Sequence, residues 1–248
     1  MIFINNMEKM DMVFLRDVLK LFGIYIAYIA VLAIMLIIVR FATKVPDYIF
    51  RKLLHFVAFT SILPLVIGTD NAWMAVCVEV IFLVIVIVAL HLAERLTFYK
   101  RLFVEKAKHE VIVSFVLLFG LMTIFLAVFW GVLGEEYKYI AVTSIMAWGP
   151  GDGVAAIVGK KFGKHKLQGK MIEGVKSVEG SIGMWLTSVG CTWISLAVMT
   201  DFSWYSSMVL ALVVGIVATF TELFTKKGLD TVTVPLAACI VLWGTKVL

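Results

Sequence analysis

Residues 72–92 read AWMAVCVEVIFLVIVIVALHL, with one carboxylate, Glu79, and no lysine or arginine. An α-helix rises about 1.5 Å per residue, so a run of this length covers about 30 Å, the hydrocarbon thickness of a bilayer. Segments 21–39, 53–68, 111–133, 139–159, 179–199, 204–225 and 229–247 have the same apolar character, the second being short. These runs predict an all-α integral membrane protein, a polytopic, multi-pass bundle of about eight transmembrane helices. Composition agrees: 62% of the 248 residues are hydrophobic and 16% charged, against about 45–50% and about 25% in soluble domains. Disordered, collagen-like and disulfide-scaffold classes are excluded. Cys77, Cys191 and Cys239 lie inside apolar runs without CxxC spacing, which marks them as packing residues, neither disulfides nor metal ligands.

Residues 1–20 mix charged and apolar positions, including Phe14, Leu15, Val18 and Leu19, and are expected to form an N-terminal interfacial segment. Residues 21–248 are then expected to make a single transmembrane domain with no internal repeat. Segment 21–39 is long enough to span and no small-residue cleavage site follows it, so no signal peptide is expected.

Basic residues orient the bundle. Seventeen of the twenty-two lysines and arginines fall in alternate loops: Arg40, Lys44, Arg51 and Lys52; Arg95, Lys100, Arg101, Lys106 and Lys108; Lys160, Lys161, Lys164, Lys166, Lys170 and Lys176; Lys226 and Lys227. Lys9, Arg16, Lys20, Lys138 and Lys246 take the other side. The positive-inside rule puts the larger set in the cytoplasm and both termini outside. The net charge of +5 is thereby an orientation signal, and no nucleic-acid partner is expected.

Ionisable residues inside apolar spans are costly and mark candidate functional sites. On this topology His55, Asp152, Glu179, Glu222 and Asp230 gather at the cytoplasmic ends of their helices, where a soluble anionic substrate arrives. A transporter usually places its polar site near the midplane. In Trp148-Gly149-Pro150-Gly151-Asp152-Gly153, proline lacks an N–H and glycine permits sharp turns, so the fifth helix is expected to break at Gly149–Gly151 and restart near Asp152. A restarting helix presents free N–H groups to a phosphate, and a Mg²⁺ ion would reconcile Asp152 with that anion. A proline kink with Asp152 as N-cap is the structural alternative.

Further along, Gly159, Lys160, Lys161, Gly163, Lys164, His165 and Lys166 combine cations with glycines, as phosphate-binding loops do and as ordinary inner loops also do. Lys176, Ser177, Glu179, Gly180 and Gly183 open the sixth span: Ser177 is a candidate cap, the glycines suit close packing or a ligand, and Glu179 complements the helix dipole. Arg51 and His55 share a helix face. Arg51 and Lys52 read as snorkelling anchors, while His55 needs a partner. Glu222 and Asp230 flank the turn at Gly228, where each could cap a helix or pair with Lys226 and Lys227. Glu79 is expected to hydrogen-bond another helix.

Four motifs, in order, resemble the phytol kinase and dolichol kinase family, CTP-using membrane kinases of isoprenoid alcohols with a diacylglycerol kinase branch. They are Arg51-Lys52-Leu53-Leu54-His55; Gly151-Asp152-Gly153-Val154-Ala155 followed by Gly159 and Gly163-Lys164-His165-Lys166; Lys176-Ser177-Val178-Glu179-Gly180-Ser181; and Gly228-Leu229-Asp230-Thr231-Val232-Thr233-Val234-Pro235. Together they cover residues 51–236. Thr231 departs from the family, which usually has Asn there, and this bears on substrate preference. Related phosphatidate cytidylyltransferases end in a His-Gly-Gly…Asp-Arg-x-Asp signature that this chain lacks.

The resemblance implies CTP as co-substrate and a membrane lipid alcohol, isoprenoid or diacylglycerol, as acceptor. In the expected site Asp152 holds Mg²⁺ with Glu179 or Asp230. Lys160, Lys164, Lys166 and Lys176 bind phosphates, helped by Gly151, Gly153, Gly163, Ser177 and Gly180. Asp152 or His55 takes the hydroxyl proton, with Arg51, Lys52 and Glu222 as further candidates. CDP-lipid synthesis of the phosphatidate cytidylyltransferase type and non-enzymatic lipid or anion transport are the alternatives, and oligomeric state is not encoded in any motif.

Overall fold

A computed structural model describes residues 2–43, 45–96, 99, 109–169, 171–226 and 228–247, with side chains from residue 12 to 245 within them. Of the residues used for orientation, Lys44, Lys100, Arg101, Lys106, Lys108, Lys170 and Lys227 lie outside this set, as do the side chains of Lys9 and Lys246. The chain forms helices α1 (Ile2–Ala42), α2 (Asp47–Thr60), α3 (Ile62–Gly68), α4 (Ala72–Ala93), α5 (Glu110–Phe125), α6 (Lys138–Phe162), α7 (Val178–Met199), α8 (Trp204–Phe224) and α9 (Asp230–Val247). Two-residue strands β1 (Lys166–Leu167) and β2 (Lys176–Ser177) pair antiparallel between α6 and α7, with Lys166 opposite Ser177 and Leu167 opposite Lys176. Residues expected as a separate interfacial stretch continue into the first span as one helix, α1.

Seven helical stretches among the described residues are long and apolar enough to cross a bilayer, with α2 and α3 together making one of them. α9 is the eighth, apolar but shorter, described over Asp230–Thr245 by this measure. The bundle is compatible with an all-α integral membrane protein.

Helix starts follow local chemistry. Asn71 accepts from Trp73 N at 3.0 Å and Met74 N at 3.2 Å, Ser177 accepts from Gly180 N at 3.2 Å, and Ser203 accepts from Ser206 N at 3.1 Å. Each satisfies N–H groups that a helix start leaves without partners. The final turns of α5 loosen into a π-helix over Leu126–Val132.

α6 is the hub. Two thirds of its apolar window is buried, against 6% for α1, and it packs on α2, α7 and α9. The expected break at Gly149–Gly151 is absent: α6 runs continuously through Pro150. Packing explains why. A Cβ on Gly149 would stand 2.2 Å from the Phe59 ring, and one on Gly151 would stand 2.6 Å from Met184 Sδ and 2.7 Å from Ser188 Oγ. Those glycines let neighbouring helices approach; positive φ among the described glycines is confined to Gly134, Gly174 and Gly228. Proline costs the helix the bond to the Met146 carbonyl, and alongside it Ser188 Oγ donates to the Ala147 carbonyl at 2.5 Å. The interruption falls in the second span instead, at Ser61 between α2 and α3. There Pro64 withholds an N–H from the Thr60 carbonyl, and Ser61 Oγ donates to Ala58 O at 2.7 Å.

Candidate functional site

The lysine-rich end of the bundle gathers charge from five elements. In α2, Lys52 Nζ donates to Asp152 Oδ2 of α6 at 2.5 Å. The Lys52 side chain is 21% exposed and that of Asp152 9%. On β2, Lys176 Nζ reaches Glu222 Oε1 at 2.8 Å and also the main-chain carbonyl of Glu222. That carbonyl belongs to the last turn of α8, where no intrahelical donor remains and a cation is favoured by the dipole. Asp230, in the first turn of α9, lies in the fields of Asp152, Lys52 and Lys176. Glu222 lies in those of Lys176, Asp152 and Asp230. Three carboxylates thus share one region with two lysines.

Two contacts with other helices fix α2 there, Arg51 with Glu110 and Phe59 with Trp148. Arg51 Nη2 pairs with Glu110 Oε1 of α5 at 2.7 Å. His55 lies in the fields of Lys52, Asp152, Arg51 and Glu110, and its ring meets Phe59 edge-on at 6.0 Å. Phe59 in turn meets Trp148 at 4.7 Å, so an aromatic wall separates the charged end from the interior.

The basic loop behaves differently from the cluster. Glu179 turns to His165, accepting from its backbone N at 3.2 Å and contacting Nδ1 at 2.7 Å. It pins the loop before β1 and leaves Asp152 and Asp230 to group with Glu222. Among the described residues, no three His, Cys, Asp or Glu converge closely enough to hold a metal by themselves. Lys164 and Lys166 are exposed, and Lys160 Nζ lies 3.8 Å from the Tyr48 ring centroid. Gly163 and Gly180 sit at the crossing of α6 and α7: a Cβ on Gly163 would meet Ser177 Oγ at 2.5 Å, and one on Gly180 the Ala155 carbonyl at 2.9 Å. Close packing occupies these glycines and Gly151. Gly153 is the exception, with nothing within 4 Å of an added Cβ.

Glu79 makes the expected interhelix bond. It is fully buried, and its Oε2 accepts from Tyr25 of α1 at 2.6 Å, with Tyr25 Oη 3.1 Å from Ser61 Oγ. Sequence reading took Lys52 as an anchor and missed Glu110. The usable signal was a cation within one turn of His55 and a carboxylate opening an apolar run.

Over 100 residues, 40% of its length, the chain is 36% identical to a phytol kinase from Synechocystis sp.. It spans 41% of that protein's length. No protein-family model matches the chain, and no solved structure matches it.

Proposed function

We propose that the chain is a membrane lipid kinase that transfers the γ-phosphoryl group of CTP to the hydroxyl of an isoprenoid alcohol at the cytoplasmic face. The observation that carries this reading is the convergence of Lys52, Asp152, Lys176, Glu222 and Asp230 at the lysine-rich end of the bundle. Similarity to a phytol kinase supports the class of reaction and of acceptor.

Phosphoryl transfer depends on positioning and charge neutralisation more than on covalent chemistry by the protein. Lys176 and Lys52 bind phosphate oxygens as point charges, with the exposed Lys164 and Lys166 drawing the nucleotide in. Asp152 orients the alcohol and accepts its proton as the oxygen bonds to the γ-phosphorus and the bridging bond to the β-phosphate breaks, releasing CDP. His55, which lies in the fields of Asp152 and Lys52, is the alternative acceptor of that proton.

A Mg²⁺ ion suits this donor set together with substrate phosphates, since among the described residues no three His, Cys, Asp or Glu converge on a metal by themselves. Mg²⁺ is commonly held by one or two carboxylates together with substrate phosphates and water, and here three carboxylates face two lysines. Asp152 and Asp230 would hold it, and when bound it supplies neutralisation of the phosphate charge.

The test uses detergent-purified protein with Mg²⁺, γ-labelled or α-labelled CTP, and geranylgeraniol, phytol, a polyprenol, diacylglycerol or phosphatidic acid. Label entering an alcohol from the γ position alone is expected. Label entering phosphatidic acid from the α position would replace the kinase by a cytidylyltransferase. No label from CTP or ATP in any lipid would refute an enzyme of this kind.

A further inference from the structure

Lys52 Nζ donates to Asp152 Oδ2 at 2.5 Å. The ammonium that would meet a phosphate and the carboxylate that would take a hydroxyl proton therefore occupy each other. Among the described residues, Lys176 is held by two oxygens of Glu222, one from the carboxylate and one from the main chain, whereas Lys52 is held by one oxygen of Asp152. Of the two lysines, Lys52 is the more easily released.

The partners also differ in freedom. Asp152 hangs by one methylene from α6, the most buried of the spans, and its side chain is buried with it. Lys52 is partly exposed and carries its ammonium on a flexible four-carbon stem with three donors. When the pair opens, the lysine moves and the carboxylate stays.

Charge favours opening over sharing. Asp152, Glu222 and Asp230 outnumber Lys52 and Lys176 by one, and Asp230 lies in the fields of Asp152, Lys52 and Lys176. A phosphate that shared Lys52 with Asp152 would set its own charge directly beside a carboxylate, and like charges are penalised where water is scarce. A phosphate that takes Lys52 outright draws the ammonium toward water and away from Asp152.

We infer that Lys52 is an exchangeable counterion: at rest it neutralises Asp152, and an incoming polyphosphate chain takes it over, uncovering that carboxylate. The inference rests on the kinase reading for what the uncovered carboxylate then does; the exchange itself is a matter of polyphosphate binding. It orders the reaction, since Asp152 is released to act on the alcohol only once the phosphate chain is in place.

The experiment measures binding of inorganic tripolyphosphate, and separately of CTP, to the full-length protein in detergent by titration calorimetry with EDTA present. Asp152→Asn keeps the side-chain shape and releases Lys52, and should tighten tripolyphosphate binding about tenfold, equivalent to about 1.4 kcal/mol. In a Lys52→Met background the same substitution should gain less than about twofold, because the released group is gone. Equal gains in both backgrounds would mean mere relief of repulsion and overturn the exchange, as would no gain from Asp152→Asn. Lys52→Gln, which keeps a donor toward Asp152, is a second background should Lys52→Met fold poorly, and the same small gain is expected in it. Turnover of CTP by the unaltered protein without a Lys52-dependent gain removes the exchange and leaves the kinase. A Lys52-dependent gain for tripolyphosphate with no phosphorylation of any alcohol upholds the exchange and removes the kinase.

Discussion

Replacing Lys52 with methionine keeps the apolar stem and removes the charge facing Asp152. The pair lies at 2.5 Å, with the Asp152 side chain 9% exposed and that of Lys52 21%. Breaking a buried pair from one side typically costs about 3–5 kcal/mol, because the remaining charge loses its compensation. Partial access to Lys52 and the neighbouring Lys176 field place this case near about 3 kcal/mol. For a protein of this size 1 kcal/mol moves Tm by about 2–4 °C, so the expected fall is about 6–12 °C. Asp152→Asn removes the other charge while keeping shape, and should also lower Tm, by less, since Lys52 can turn toward solvent. A double-mutant cycle isolates the coupling: Lys52→Met with Asp152→Asn should be less destabilised than the sum of the singles by about 1–3 kcal/mol. Thermal unfolding of the four detergent-solubilised proteins gives the numbers. Additive losses would refute coupling between these side chains, and with it their shared place in the site.

Four further outcomes are expected. Asp152→Asn should abolish phosphoryl transfer while the protein still elutes as a folded species; near-normal turnover removes Asp152 from the mechanism. Lys176→Gln should raise KM for CTP at least tenfold (about 1.4 kcal/mol) with a smaller change in KM for the alcohol, measured by initial rates; equal changes in both would indicate a merely structural role. Gly149→Ala should cost about 1–3 kcal/mol by forcing its Cβ onto Phe59, whereas Gly153→Ala should be neutral or stabilising by up to about 1 kcal/mol; thermal unfolding ranks them. Tyr25→Phe, which takes the donor from Glu79, should cost about 1–3 kcal/mol, and Tyr25→Phe combined with Glu79→Leu should recover part of it.

Much of the fold was legible because lipid imposes one-dimensional rules: a span must be apolar for its whole length, and each such run became helical, the second as the two helices α2 and α3. Asp152 was legible for the same reason, as a charge inside a run that tolerates few. Its partner was not. Lys52 lies a hundred positions earlier, and periodicity within either helix says nothing about which faces meet. Pro150 misled because local propensity was outweighed by packing: its flanking glycines answer to Phe59, Met184 and Ser188 on other helices. The real interruption at Ser61 followed the same proline chemistry, with Pro64 withholding its N–H from the Thr60 carbonyl. Glu179 was read by sequence nearness to Lys176, yet the loop folds so that His165 claims it.

The Lys52–Asp152 pair also bears on biogenesis. At about 5–20 residues per second of synthesis, the hundred residues between them correspond to about 5–20 s in which α2 has been made and α6 has not. Throughout that interval Lys52 has no counterion and keeps its ammonium toward the headgroups. α2 can settle to its final depth only when α6 arrives. Lys176 repeats the pattern on a shorter delay, awaiting Glu222. The ion pairs thus mark the nascent chain's progress, and a ribosome stalled before α6 leaves a half-bundle whose Lys52 lacks its Asp152 partner.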